Sequence, residues 1–172
     1  NLSALFDVAT GTTLYATVSE GYKAGGYNGD WDASGQRTAA RREFKDETVL
    51  NLEAGLKSRF WNDQATLNLS VFRSQFEDFQ NASFLGLSFL VRNAGKVVRQ
   101  GIELDGSVRP LVGLTFDYAV TYLDAEYDEF AQGACYFGRT PTNAAERTCD
   151  LSGATLPNAP DWRTTLGVQY EH

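Results

Sequence analysis

The sequence predicts an all-β chain: an antiparallel up-and-down meander of about six long strands. Three observations carry this reading. Apolar and polar residues alternate at period two along run after run, the pattern of a strand with two unlike faces. The runs reach ten residues or more, beyond the usual five or six of globular strands. The connections between them are unequal, in the order long, short, medium, short, long.

The first strand is TTLYATVSEGY, Thr12 to Tyr22, with Leu14, Ala16 and Val18 opposite Tyr15, Thr17 and Ser19. It enters KAGGYNGDWDASGQRTAARREFKD, a Gly-, Asp-, Ala- and Arg-rich stretch with no periodicity. Loops of that length are uncommon unless functional. The second strand covers Glu47 to Phe60, with Leu50, Leu52, Ala54, Leu56 and Phe60 on one face and Asn51, Glu53, Lys57 and Arg59 on the other. After a tight turn at Trp61–Gln64, the third strand (Ala65 to Phe79) resumes with Leu67, Leu69 and Val71 against Asn68 and Ser70.

A moderate loop is expected over Gln80–Ser88. The fourth strand then groups Val98, Ile102, Leu104 and Val108 opposite Arg99, Glu103, Asp105 and Ser107. A turn at Arg109–Gly113, marked by Pro110, leads to the fifth, where Leu114, Phe116, Tyr118, Val120 and Tyr122 oppose Thr115, Asp117, Ala119 and Thr121. A long segment, about Asp124 to Pro160, carries both cysteines. The sixth strand places Trp162, Leu166, Val168 and Tyr170 against Arg163, Thr165, Gln169 and Glu171.

All short turns therefore fall at one end of the sheet and all long loops at the other. A membrane barrel segregates its connections in this way. The apolar face is aliphatic in mid-strand with aromatics towards the ends, where interfacial girdles sit. The opposite face carries charge that water in a lumen would solvate. Backbone groups in lipid must all be paired, so such strands belong to a closed barrel. Six are too few, since the smallest membrane barrels have eight; the chain is expected to be a piece of a larger wall. Met is absent, which predicts that the chain begins inside a longer gene product.

The net charge of −7 argues against nucleic acid as a partner, because phosphate binding needs clustered cations. No apolar run is long enough for a membrane helix, which does not exclude β-strands that cross. Cys135 and Cys149 bracket a polar loop. A disulfide there would stabilise it by about 3 kcal/mol and imply an oxidising compartment; two unpaired thiols are the alternative. Neither cysteine has the further partners that zinc needs.

The runs LYATVSEGYKAGGYNG (Leu14 to Gly29), ETVLNLEAGLKSRF, LNLSVFRSQFEDFQ, NAGKVVRQGIELDGSVRPLVGLTFDYAVTYLDAEY and LPNAPDWRTTLGVQYEH follow one another over nearly the whole chain. Together they resemble TonB-dependent outer-membrane receptors. The resemblance implies a plugged barrel of 22 strands, located in the bacterial outer membrane. It implies energised uptake of a scarce, bulky ligand, such as a ferric siderophore, haem, cobalamin or a glycan. The partners would be outer-membrane lipid, the rest of the barrel and its plug, and the TonB complex. Residues 1–172 would form a partial barrel domain from its later part, without the plug or the terminal aromatic strand.

The charged residues at period two read as a solvated surface and not as an acid–base site, so no catalytic role, metal or cofactor is expected. The glycines of GYKAGGYNG lack the GK[ST] ending of a phosphate loop. Tyr22, Tyr27 and Trp31 there, and Tyr136 with Phe137 beside Cys135, are candidates to stack on a ligand; girdle anchoring or loop packing is the alternative. Arg41, Arg42 and Lys45 are candidates to attract an anionic chelate or lipid phosphate; a solvated charge run is the alternative. Two readings of other classes are a secreted or surface β-sheet module for adhesion or carbohydrate binding, and a passive porin fragment.

Overall fold

A computed structural model describes residues 1–29, 43–85, 88–144 and 148–171. Its strands are β1 (Leu2–Ala9), β2 (Thr12–Lys23), β3 (Gly26–Tyr27), β4 (Glu43–Phe44), β5 (Glu47–Phe60), β6 (Ala65–Leu85), β7 (Ser88–Leu111), β8 (Leu114–Glu129), β9 (Gly133–Ala134), β10 (Thr148–Cys149) and β11 (Trp162–Tyr170). Among the described residues there is no helix. Seven strands pair in chain order, β1-β2-β5-β6-β7-β8-β11, all antiparallel. The meander is the one expected, with two main differences and a shorter turn after β7.

The first is β1, which sequence alternation did not mark. Its Leu5 falls on the same face as Ser3 and Asp7, so the period-two signal is blurred. Pairing with β2 nevertheless fixes its register, Ala4 opposite Ala16 and Leu5 opposite Tyr15. The second is the expected loop at Gln80–Ser88. Strands β6 and β7 instead stay paired out to Leu85 opposite Ser88, making strands of 21 and 24 residues. Asp78 takes φ 50° and the pairing lapses between Glu77–Lys96 and Phe79–Ala94 without a change of register, so the ladder is interrupted there and continues.

The short turns need left-handed backbone. Gly11 and Gly113 have φ of 78° and 81°. A Cβ at Gly11 would meet the Arg59 carbonyl oxygen at 2.5 Å, and the Gly11 carbonyl accepts from Arg59 N at 2.7 Å. Trp61, Asn62 and Asp63 are all left-handed too, closed by Gln64 N donating to the Trp61 carbonyl at 3.1 Å. Asn and Asp tolerate this conformation. The turn after β7 is shorter than expected, because Pro110 lies inside the strand.

Register aligns the faces across the sheet. Ala4, Ala16, Ala54, Val71, Ile102, Tyr122 and Trp162 form one row through all seven strands on the apolar face. Leu5, Tyr15, Gly55, Ser70, Glu103, Thr121 and Arg163 form a row on the other. Among the described residues nothing covers the apolar face: Leu50, Leu52, Val71 and Ile102 are 42%, 45%, 48% and 47% exposed. A half-exposed aliphatic side chain in water forgoes about 1 kcal/mol. Over a whole face this rivals the about 5–15 kcal/mol that stabilises a domain. Phe60 and Leu52 are eight residues apart, about 27 Å of strand. At a tilt near 40° that gives a height of about 21 Å, close to the ~25 Å apolar band of a membrane barrel.

Among the described residues, the buried hydrophobic cluster lies at the long-loop end, while Ala65, beside the Trp61–Gln64 turn, is buried apart from it. Ala94, Val97, Tyr127, Phe130, Cys149 and Leu151 form the cluster, with Phe76 and Phe79 against it. Val97 pairs with Phe76 and Tyr127, on the same face as Arg99 and Glu103. The cluster thus sits on the polar side of the sheet. The segment that supplies Leu151 runs back along β8 through Tyr127 N to the Ala154 carbonyl (2.9 Å) and Leu156 N to the Ala125 carbonyl (2.9 Å).

Candidate functional site

Two regions of the polar face carry side-chain chemistry, the mid-sheet rows and the long-loop end. In mid-sheet, the Tyr15 Oη donates to Glu53 Oε1 at 2.7 Å, and Lys57 Nζ lies 5.4 Å from the centre of the Tyr15 ring. Ser74 Oγ donates to Asn51 Oδ1 at 2.7 Å, and Asn68 Nδ2 to Asp105 Oδ2 at 2.8 Å. Each contact joins neighbouring strands, the cross-strand pairing that stabilises a sheet. Towards the short turns the same face hollows into an open basin of about 830 Å³, bordered by Asp7, Thr13, Lys57, Arg59, Thr66 and Asn68. Two cations, Lys57 and Arg59, and the carboxylate of Asp7 stand among threonine and serine hydroxyls around it, which makes it a mixed polar surface.

At the long-loop end the β6–β7 hairpin stands between two loops. Phe79 and Ala94 face the cysteine-bearing segment. Gln80 and Asn93, on the alternate face, hold the foot of the first loop. Gln80 Nε2 donates to the carbonyls of Ala24 (2.9 Å) and Lys45 (3.1 Å), and Glu47 Oε2 accepts from Gln80 N at 2.7 Å. Asn93 Nδ2 donates to the Lys45 carbonyl at 3.1 Å, while its Oδ1 accepts from Lys45 N at 2.8 Å. Asn28 repeats the device, with Nδ2 on the Val91 carbonyl (2.9 Å) and Oδ1 accepting from Val91 N (2.8 Å). An Asn amide presents one donor and one acceptor just as a peptide does, so these side chains act as strand partners for loop backbone.

The cysteine-bearing segment is closed by a Cys135–Cys149 disulfide. Its short pairs β9 and β10 match Ala134 with Thr148 and Gly133 with Cys149. Tyr136–Arg139 form a turn, with Arg139 N on the Tyr136 carbonyl (3.0 Å) and Arg139 Nη2 on the Asp150 carbonyl (3.1 Å). Hydrogen bonds from the Ser152 hydroxyl and from Ser152 N hold the Asp150 carboxyl below the usual carboxylate value.

The sequence-derived ligand candidates fall in different places. Tyr22 is within β2, on the same face as Leu14, Ala16 and Val18, and is 71% exposed. It is therefore a strand residue, on the apolar face of the sheet. Tyr27 belongs to β3, at the foot of the first loop beside Asn28, and is 69% exposed. Trp31, Arg41 and Arg42 lie outside the described residues. Lys45 reaches Asp78, Nζ to Oδ1 3.3 Å. Tyr136 is half-exposed and Phe137 fully exposed on the stapled loop. Sequence reasoning missed Asn28, Glu47, Gln80 and Asn93. Amides in strand-like runs beside a long loop were the available signal.

Comparison with known proteins agrees with this geometry. The ferric yersiniabactin uptake receptor FyuA from Yersinia pestis superposes with a TM-score of 0.67 at 24% identity, over 96% of this chain and 22% of that one. The siderophore receptor PiuA from Acinetobacter baumannii gives 0.69 at 21% identity, over 98% of this chain and 23% of its own. The copper transporter OprC gives 0.66 at 19% identity, over 99% and 23%. The chain thus spans under a quarter of the length of the proteins it matches, and the likeness establishes the fold. The family model described as TonB dependent receptor-like, beta-barrel, matches residues 1–172, so this chain belongs to the TonB-dependent receptor β-barrel family.

Proposed function

We propose that the chain is a wall segment of an outer-membrane receptor that takes up a scarce ligand, such as a ferric siderophore, with energy supplied through the TonB complex. The single observation that carries the reading is the uncovered apolar face, aligned in register across seven strands and backed by a hydrated polar face. Such a sheet is stable when lipid meets one side and enclosed water the other. The remainder of a 22-stranded barrel would close on β1 and β11, and a plug would fill the lumen beside the basin near Lys57 and Arg59. Residues 1–172 are then a partial barrel domain.

Ligand capture is assigned to the long-loop end, with Tyr27 and Tyr136 there and with Trp31, Arg41 and Arg42 of the first loop as the further candidates. Tyr22, on the apolar face, takes an anchoring role in place of ligand contact. A ferric yersiniabactin uptake receptor and a siderophore receptor among the structural neighbours favour a ferric chelate as the ligand class. A secreted adhesion or carbohydrate module would need its aliphatic face covered, and a passive porin would conduct ions unaided.

The test is uptake by the whole receptor. Cells depending on it for iron should grow on a subset of ferric chelates and lose that growth when residues 24–46 are replaced by a short Gly-Ser linker. Binding of the same chelates, followed by intrinsic fluorescence quenching, should fall in parallel. Growth and binding unchanged by the replacement would sink the first loop as a capture element. A purified chain that stays monomeric without detergent would sink the membrane reading.

A further inference from the structure

Asn28 is the one asparagine of the sequence that a glycine follows. It comes directly after Tyr27 of the β3–β4 pair, at the foot of the first loop, and is 8% exposed. Its amide is used on both sides, Nδ2 donating to the Val91 carbonyl at 2.9 Å and Oδ1 accepting from Val91 N at 2.8 Å. Gly29, by contrast, is exposed. Among the described residues no atom stands within 4 Å of where its Cβ would be, and it is not one of the left-handed glycines. Neither packing nor backbone conformation therefore calls for glycine at this position. What glycine supplies here is an unshielded backbone nitrogen next to an asparagine side chain.

We propose that Asn28–Gly29 is a self-modifying site, whose deamidation makes release of the first loop permanent. Gly29 N, losing its proton to water, bonds to Asn28 Cγ; the Cγ–Nδ2 bond breaks and ammonia leaves. Water then opens the five-membered imide at one of its two carbonyls. One opening leaves an aspartate side chain, the other an iso-aspartyl linkage with one more methylene in the backbone. While both bonds to Val91 stand, the side chain is held on β7 and does not swing onto Gly29 N, so the reaction waits for local opening. Afterwards the donor is gone. A carboxylate oxygen takes the place of Nδ2 opposite the Val91 carbonyl, and two acceptors face each other without a proton. The loop foot, held also by Gln80 and Asn93, loses one of its ties for good. Asn93 pairs with Lys45 in the same two-sided way but precedes Ala94, whose Cβ crowds the attacking nitrogen, so it serves as an internal control. The site does not depend on what the receptor takes up.

The experiment ages the whole receptor containing this wall, purified in detergent, and follows Asn28 and Asn93 by peptide mass spectrometry. Labelling by an iso-aspartyl methyltransferase counts the iso form. Asn28 should turn to acid over the incubation while Asn93 keeps its amide, and proteolytic cleavage within residues 24–46 should rise in step. Gln80→Ala, which loosens the same foot, should speed the conversion about fivefold, the shift in opening that one net hydrogen bond controls. Gly29→Ala has room for its methyl group and should suppress conversion without changing cleavage of the fresh protein. Asn28→Asp, made directly, should be cut at least as fast as Asn28→Ala. An amide retained at Asn28 while a denatured sample converts overturns the site. An unchanged rate in Gln80→Ala overturns its control by opening, and full conversion without faster cleavage overturns the release.

Discussion

The Tyr15 ring lies across Gly55 on the neighbouring strand while its hydroxyl donates to Glu53 at 2.7 Å. A Cβ at Gly55 would meet Tyr15 Cε1 at 2.5 Å and the Leu69 carbonyl oxygen at 2.6 Å. Phe72 bears in the same way on Gly101, its directly paired residue, with Cζ 2.9 Å from where a Cβ would stand. Rings laid over strand glycines cover exposed backbone and pin register, a device also used in designed sheets.

Gly55→Val should therefore destabilise the full receptor by about 1–3 kcal/mol through overpacking, and Tyr15→Leu in the same background should recover part of it. The midpoint of urea unfolding in lipid vesicles checks this. Additive losses in the double variant would show that ring and glycine do not interact.

Asn28→Ala removes both hydrogen bonds between the foot of the first loop and Val91. Each is expected to contribute about 1 kcal/mol. Limited proteolysis of the intact receptor should cut residues 24–46 faster in this variant, with the unfolding midpoint nearly unchanged. Gln80→Ala should do the same, because it removes the side-chain hydrogen bonds to the carbonyls of Ala24 and Lys45, of which only the second keeps a bond from Asn93.

Replacing both Cys135 and Cys149 with Ser should cost the stapled loop about 3 kcal/mol on the chain-entropy account. Cys149 is buried in the cluster with Val97 and Tyr127, so the loss should spread to β8. Hydrogen exchange at the amides of Ala125 to Phe130 should speed up, while those of β5 keep their protection. Unchanged exchange along β8 would mean that apolar packing alone holds the segment.

The Asp150 carboxyl is held low by Ser152, which fixes a sign for pH. A group depressed in the folded state contributes fully above its unfolded value of about 3.9, and that contribution fades as pH falls through the lower folded value. Loop amides near Ser152 should exchange relatively faster at about pH 2.5 than at pH 5, after correction for intrinsic rates. Asp150→Asn should abolish the pH dependence.

Much of this architecture was legible as a pattern. Leu50, Leu52, Ala54 and Leu56 announce a strand and its two faces, because strand geometry puts every second side chain on the same side. The Trp61–Gln64 turn and the long loops were legible for the same reason, since periodicity stops there. Strand β1 was not, because Leu5 interrupts the alternation and only its pairing with Tyr15 sets the register. The continuation of β6 through Gln80 was hidden likewise. Residues 80–85 carry no regular alternation, and their strand form comes from pairing with β7. Tyr22 was legible as an amphipathic aromatic, but whether it served a loop or a strand was a question of pairing with Thr48.

By itself, then, the sequence determined the strand type, the two faces and the end that bears the long loops, all of which depend on neighbours a few residues apart. Only the tertiary structure decided how far the central hairpin reaches, which amides hold the first loop, and that Arg73 hydrogen-bonds to Gln100 and Gln100 to Asp124 across three strands. Those outcomes depend on register between strands distant in the chain. A shift of one residue would turn every side chain to the opposite face, and local alternation does not specify which strand lies beside which residue.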